Sequence, residues 1–308
     1  MLKEFNSLFQ MGQAFPDEQS AIDHLRAIRW KSGAFCPYCA STKVYDFSDK
    51  RTHKCGDCRR RFSIKVGTIF EDTKLPLRKW FMAIWLITSH KKGVSSAQLA
   101  RDLSITQKSA WFVMHRLRYA ARTKSFNRPL RGEIEADETF LGGKEKNKHL
   151  NKRKRGAVGG LGSGKTAVFG MLERGGELRA MKVYSIKSRE LQPRLAKHVE
   201  RGSTVMTDEW SGYSGLDYTH GFRHERMKHR AGEYVRDRFH TNGIEGAWSH
   251  FKRQVYGIHH WISAKHVDRY LDEFTWRWNL REMEEGARVN ALLGRVTGRL
   301  TYKALIAQ

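Results

Sequence analysis

The tightest constraint on this chain is the spacing of its four cysteines: Cys36-x2-Cys39, fifteen intervening residues, then Cys55-x2-Cys58. Each CxxC turn can set two thiolates on one tetrahedral ion, so the spacing matches a two-knuckle structural zinc site. The stretch VYDFSDKRTHKC is expected to form the hairpin that joins the knuckles. The N-terminal MLKEFNSLFQ lacks the charged-then-apolar pattern of a secretory leader. A reducing cytoplasm is therefore expected, where thiols bind metal rather than pair with one another.

Charge sets the class of partner. The chain carries 57 Lys+Arg against 32 Asp+Glu, a net +25 over 308 residues, and such a balance points to a polyanion. A membrane is excluded as the spanned partner, because the longest apolar run, Trp80 to Thr88, falls short of the roughly 20 residues a bilayer requires. DNA remains, and Lys54, Arg59, Arg60 and Arg61 crowd the second knuckle. The pattern divides into a ribbon region at 1–66, a helical region at 67–125, an alternating strand and helix region at 131–290 and a tail at 291–308. Pro129 and Gly132 mark the linker between the second and third.

Within the helical region, GVSSAQLARDLSITQKSAWFVMHRLRYAAR reads as two helices about a short turn at Ser104 to Thr106. Ser96 can cap the first helix, and Trp111, Met114 and Leu117 share one face of the second. This is a helix-turn-helix pattern, in which Gln107, Lys108 and Arg116 would face outward to the major groove. An ordinary helical bundle with solvated basic faces gives the same pattern.

Three acids stand out further along. In EIEADETF, a period of two sets Glu133, Glu135 and Asp137 on one strand face. Strand patterns follow at Thr166 to Glu173 and Glu177 to Tyr184, joined by Arg174-Gly175-Gly176. A helix at about Arg189 to Arg201 then leads into a strand that ends at Asp208. Three strands, a helix and a fourth strand match the opening of an RNase H-like fold, in which Asp208 could meet Asp137. Glu245, in HTNGIEGAWSHFKR, lies in a helix with Lys252 two turns later. An Asn-x-x-Glu start also fits a capping box, and Asn242 is the alternative third ligand. The neighbouring Glu135, Glu138 and Glu209 are expected to pair with nearby cations.

One motif misleads. Gly159-x4-Gly164-Lys165-Thr166 satisfies a phosphate-loop pattern, but a strand-like rather than helical run follows it. No bound nucleotide is expected. The seven basic residues between Lys144 and Arg155, among them Arg153, Lys154 and Arg155, suit DNA phosphates better.

Together these residues resemble bacterial insertion-sequence transposases that join an N-terminal zinc ribbon and helix-turn-helix to a DDE catalytic domain of RNase H-like fold. The resemblance matches Cys36, Cys39, Cys55 and Cys58 to the ribbon, ADETFLGG and TDEWSGY to the first two acids, and HTNGIEGAWSHFKR to Glu245 and Lys252. Ser263, His266, Tyr270 and the run Trp276-Arg277-x-Asn279-x-Arg281 look like the closing helix. The expectation is a multidomain α/β enzyme that uses two Mg²⁺ ions to cleave the element's terminal inverted repeats and join them to target DNA. Asp137, Asp208 and Glu245 would hold the ions, Lys252 would contact a phosphate, and the protein would act as a homodimer or higher oligomer on nucleoid DNA. A non-catalytic zinc-ribbon and helix-turn-helix regulator is the rival reading.

Overall fold

The computed structural model describes residues 2–122, 128–143, 149–153, 164–227 and 239–307. The chain forms two units, one of Met1–Arg122 with Leu280–Gln308 and the other of Thr123–Asn279.

The first unit opens with α1 (Leu8–Ala14) and α2 (Glu18–Arg29), the latter started by a capping box between Asp17 and Ser20. The ribbon follows as three antiparallel strands: β1 (Val44–Asp46), β2 (Thr52–Cys55) and β3 (Arg61–Ser63). Its small core is Cys36, Cys55 and Phe62, backed by Trp30 and Val44. Next come α3 (Leu77–Ser89), apolar nearly all round and accordingly buried, α4 (Ser96–Leu103) and α5 (Gln107–Ala120). Ser95, one residue before the expected cap, accepts a bond from the Gln98 amide at 3.1 Å. Ser104 turns the chain in the left-handed region, at φ 49°.

Two expectations fail here for one reason. The C-terminal residues are neither a tail nor the close of the catalytic region, because α10 (Glu285–Leu293) packs on α3. Arg288 Nη1 donates to Thr88 O at 3.0 Å, and His24 meets Asn290 at 2.8 Å. The chain then pairs Ile69 N with Val296 O at 2.9 Å and covers α5. Arg116 is consequently 5% exposed. Its guanidinium donates to the carbonyls of Ile69, Glu71 and Leu300 at 2.7, 2.8 and 3.1 Å, so it does not face outward to a groove. Gln107 and Lys108, in the first turn of α5, are exposed.

The second unit is a five-stranded sheet with helices on both faces. Its strands are β4 (Glu133–Leu141), β5 (Thr166–Glu173), β6 (Leu178–Val183), β7 (Thr204–Thr207) and β8 (Arg223–Arg226), in spatial order β6-β5-β4-β7-β8. The first three pair antiparallel, whereas β7 and β8 run parallel to β4. This order and direction define an RNase H-like sheet. On one face α6 (Ser188–His198) and α7 (Leu216–His220) cover Ile134, Ala136, Phe169 and Val205. On the other, α8 (Asn242–Gln254) and α9 (Val267–Asn279) cover Val168, Leu172 and Leu178. Asn279 closes the edge strand, accepting from Leu178 N at 2.7 Å and donating to Leu178 O at 3.0 Å.

Candidate functional site

Two groups of side chains bear on function in this framework, one of cysteines and one of carboxylates. The first is local. Cys36 and Cys58 approach to 3.6 Å between sulfurs, as do Cys39 and Cys55. All four sulfurs lie within 4.8 Å of one another, the only such group of three or more ligands among the described residues. A tetrahedral ion with Zn–S near 2.3 Å separates its sulfurs by about 3.8 Å, so the cluster fits zinc. The backbone shapes it symmetrically: Ala40 and Arg59, which follow the two second cysteines, both adopt φ 59°. Amides also bond sulfur, Tyr38 N to Cys36 and Cys58 N to Cys55, each at 3.4 Å.

The second group is assembled from three elements. Parallel pairing of β4 with β7 sets Glu133 opposite Thr204 and Glu135 opposite Met206, an offset of 204 − 133 = 71. The same offset extended past the last pair carries Asp137 to the level of Asp208, the residue just beyond β7. The backbone amide of Trp210 donates to Asp208 Oδ1 at 2.9 Å and holds it at the strand end.

Glu245 arrives on α8. Thr241, not Asn242, is the residue at the helix cap, so the Asn-x-x-Glu run is one residue out of capping-box register. Glu245 Oε1 instead accepts from the Thr241 hydroxyl at 2.8 Å. Gly170 lets the helix lie close, because it pairs directly with Asp137 across β4 and β5. A Cβ there would stand 2.4 Å from the Trp248 ring. Trp248 is one turn beyond Glu245, so its ring fills the space beside Asp137.

The electrostatics follow from burial first and from neighbouring charge second. Burial pushes the Asp137 carboxyl up to about 7, and the charges of Asp208 and Glu245 push in the same direction. Glu138 is likewise raised, to about 8, by burial and then by the charges of Asp137 and Asp208, although a hydrogen bond from the buried Tyr213 hydroxyl opposes the rise. The expected cation partner for Glu138 is therefore replaced by a phenol. Glu135 does meet a cation, Arg174 Nε at 3.0 Å, while Glu209 is exposed.

The remaining expected residues are dispersed. Lys252 is half-buried on α8, with no acidic partner among the described residues, and Asn242 is exposed at the first helical position. Arg153 is exposed; Lys154 and Arg155 lie outside the described residues. Lys165 runs directly into β5 rather than into a helix, so the phosphate-loop pattern lacks the helix N-terminus it needs. His240 stands before α8, its carbonyl accepting from Arg174 Nη2 at 3.0 Å. Sequence reasoning missed Gly170, Trp248 and Tyr213; the pairing of a glycine with an acid is visible only once the strand register is known.

Comparison with known proteins gives the family of the chain. Residues 16–61 match a transposase zinc-ribbon domain and residues 129–279 an ISXO2-like transposase domain. An uncharacterized protein in transposable element ISH50 of Halobacterium salinarum is 30% identical over 276 residues, covering 86% of this chain and 92% of that protein. Among solved structures, a pre-cleavage Mos1 transpososome is 11% identical with TM-score 0.28, over 72% of this chain and 80% of that one. A Mos1 mariner paired end complex with Mn is 14% identical with TM-score 0.29, over 70% and 79%. These last two likenesses are too slight to bear on the chemistry. The two domain matches, in the order ribbon then catalytic sheet, and the relative spanning nearly the whole length make this chain a DNA transposase of the ISXO2-like family.

Proposed function

We propose that the transposase cleaves and joins DNA strands at Asp137, Asp208 and Glu245 with divalent magnesium. The observation that carries this reading is geometric: the parallel pairing of β4 with β7 leads Asp137 and Asp208 to neighbouring strand ends, and the helix that bears Glu245 packs on Gly170, the strand partner of Asp137. Carboxylates crowded in this way favour a cation between them, and their hard oxygens suit Mg²⁺. Asp137, Asp208 and Glu245 together would hold such ions. When bound, such ions activate an attacking oxygen and stabilise the leaving one.

The chain's own residues do the rest. The Trp210 amide and the Thr241 hydroxyl orient Asp208 and Glu245. Trp248 and Ile244 pack against Gly170, the strand partner of Asp137. Lys252 contacts a phosphate beside the scissile bond. Water attacks first and frees a 3′-hydroxyl at the element's end, and that hydroxyl then attacks target DNA. Glu245 is taken as the third ligand in preference to Asn242, because its carboxylate is a harder, anionic donor for Mg²⁺ than a neutral amide. Gln107 and Lys108 meet the terminal inverted repeat and Arg153 meets phosphate, with the protein acting as a dimer or higher oligomer on DNA.

The test is Mg²⁺-dependent cleavage of duplex DNA carrying the element's ends. Wild type should cut, and Asp208→Ala should bind the same DNA without cutting it. Equal cleavage by both proteins would refute the assignment, and cleavage that needs ATP and Lys165 would replace it.

A further inference from the structure

Glu135 lies on the same face of β4 as Asp137, two residues away, yet it faces the helix start rather than the other acids. Its carboxylate is 1% exposed and fully engaged. Oε2 accepts from the backbone amide of Ile244 at 2.8 Å, and Oε1 accepts from Arg174 Nε at 3.0 Å. The same guanidinium donates to Glu133 Oε2 at 2.8 Å and to His240 O at 3.0 Å. One acid and one cation thus fasten the strand that bears Asp137 to the first turn of the helix that bears Glu245.

The fit is close. A Cβ on Gly243 would stand 2.9 Å from Glu135 Oε2 and 3.0 Å from Leu172 Cδ2, so the bare glycine allows the carboxylate to reach the helix amides. Ile244 immediately precedes Glu245, and Glu135 is one alternation from Asp137. The bond therefore joins points one step from each of two proposed ligands, and a small slip in it changes their separation directly.

We infer that Glu135 is a positioning residue for the strand-cleavage reaction, clamping α8 to β4 so that Glu245 stands at its working distance from Asp137. This rests on the reading of Asp137, Asp208 and Glu245 as the metal-binding set. A merely structural role for the buried ion pair would lower stability without changing metal affinity in the folded protein. A positioning role lowers metal affinity itself, as groups that orient ligands do.

The experiment uses the full chain bound to duplex carrying a transposon end. Mn²⁺ binding is measured by calorimetry, cleavage as a function of Mg²⁺ concentration, and thermal unfolding without metal. Glu135→Ala should weaken Mn²⁺ binding and low-Mg²⁺ cleavage by about 10- to 100-fold, with cleavage partly restored at high Mg²⁺. Glu135→Gln, which keeps an acceptor of the same length, should fall between. Gly243→Ala should act in the same direction while favouring the helix intrinsically, which guards against misfolding of the first variant. Wild-type Mn²⁺ affinity in Gly243→Ala, or losses that merely follow the unfolded fraction, would overturn the inference. Asp208→Ala separates the two readings: if it still binds Mn²⁺ and cuts, the acid site itself is wrong, whereas its failure beside intact Glu135 and Gly243 variants sinks only the clamp.

Discussion

The cysteine cluster and the proposed carboxylate site are built on opposite plans. The ribbon draws its four ligands from residues 36–58, where tight turns and amide-to-sulfur bonds shape the cradle within one small hairpin unit. The acids come from β4, the end of β7 and the start of α8, and they come near enough to influence one another only after a sheet has found its register and a helix has docked on it. A local site depends on its own ligands. A distributed one depends equally on residues that touch no ion, such as Gly170 beneath Trp248.

The largest expected contrast is in activity. Asp208→Ala should lower cleavage by at least about 10³-fold while leaving zinc content and DNA affinity unchanged. Cys55→Ser should do the reverse to the architecture. Structural zinc contributes about 10 to 16 kcal/mol of coupled folding in small zinc domains, so metal analysis should show zinc lost and proteolysis should open the ribbon while the Thr123–Asn279 sheet stays resistant. If the sheet also became protease-sensitive, the independence of the two plans would be broken.

Smaller effects sharpen the comparison. Gly170→Ala forces a methyl against the Trp248 ring and should destabilise by about 1 to 3 kcal/mol in chemical denaturation, with cleavage falling because α8 is displaced. Arg116→Ala orphans three backbone carbonyls, for a loss of about 1 to 3 kcal/mol, and should leave the salt dependence of DNA binding unaltered. Lys108→Ala should reduce that salt slope by about one without loss of stability.

The last expectation concerns pH. Asp137 is raised in the folded protein from 3.8 to about 7. Its contribution to stability is therefore complete below about pH 4 and lost as pH rises through about 7, where the crowded carboxylate ionises. A divalent ion favours the ionised form, so the Mg²⁺-induced rise in Tm should grow between about pH 6 and 8, by roughly 2 to 4 °C. A rise independent of pH would mean that the ion binds elsewhere. No comparable pH window is expected from the acid site once Asp137 is replaced by Asn.

The two plans also differ in how far the amino-acid sequence discloses them. The ribbon was readable because its ligands are near neighbours, and the order of β4, β5, β6, α6 and β7 followed from alternation and turn residues. Arg116 was misread because a cation on a helix ordinarily faces water, and the carbonyls that bury it come from Ile69, Glu71 and Leu300. The fifth strand, β8, is too short and polar to announce itself. Glu138 drew an expected cation, whereas its partner is Tyr213, 75 residues away in sequence. For Arg116 and Glu138 the deciding neighbour is remote along the chain, where local pattern carries no information.

The return of residues 280–308 to the helical unit has a consequence for synthesis. On the ribosome, α3 emerges early, but its α10 partner is translated only after the entire catalytic sheet has been made. An apolar helix flank thus stays uncovered through the middle of translation, when chaperones have their opportunity. A polypeptide stalled near residue 279 would carry every proposed catalytic acid and still lack the segment that finishes the unit it began with.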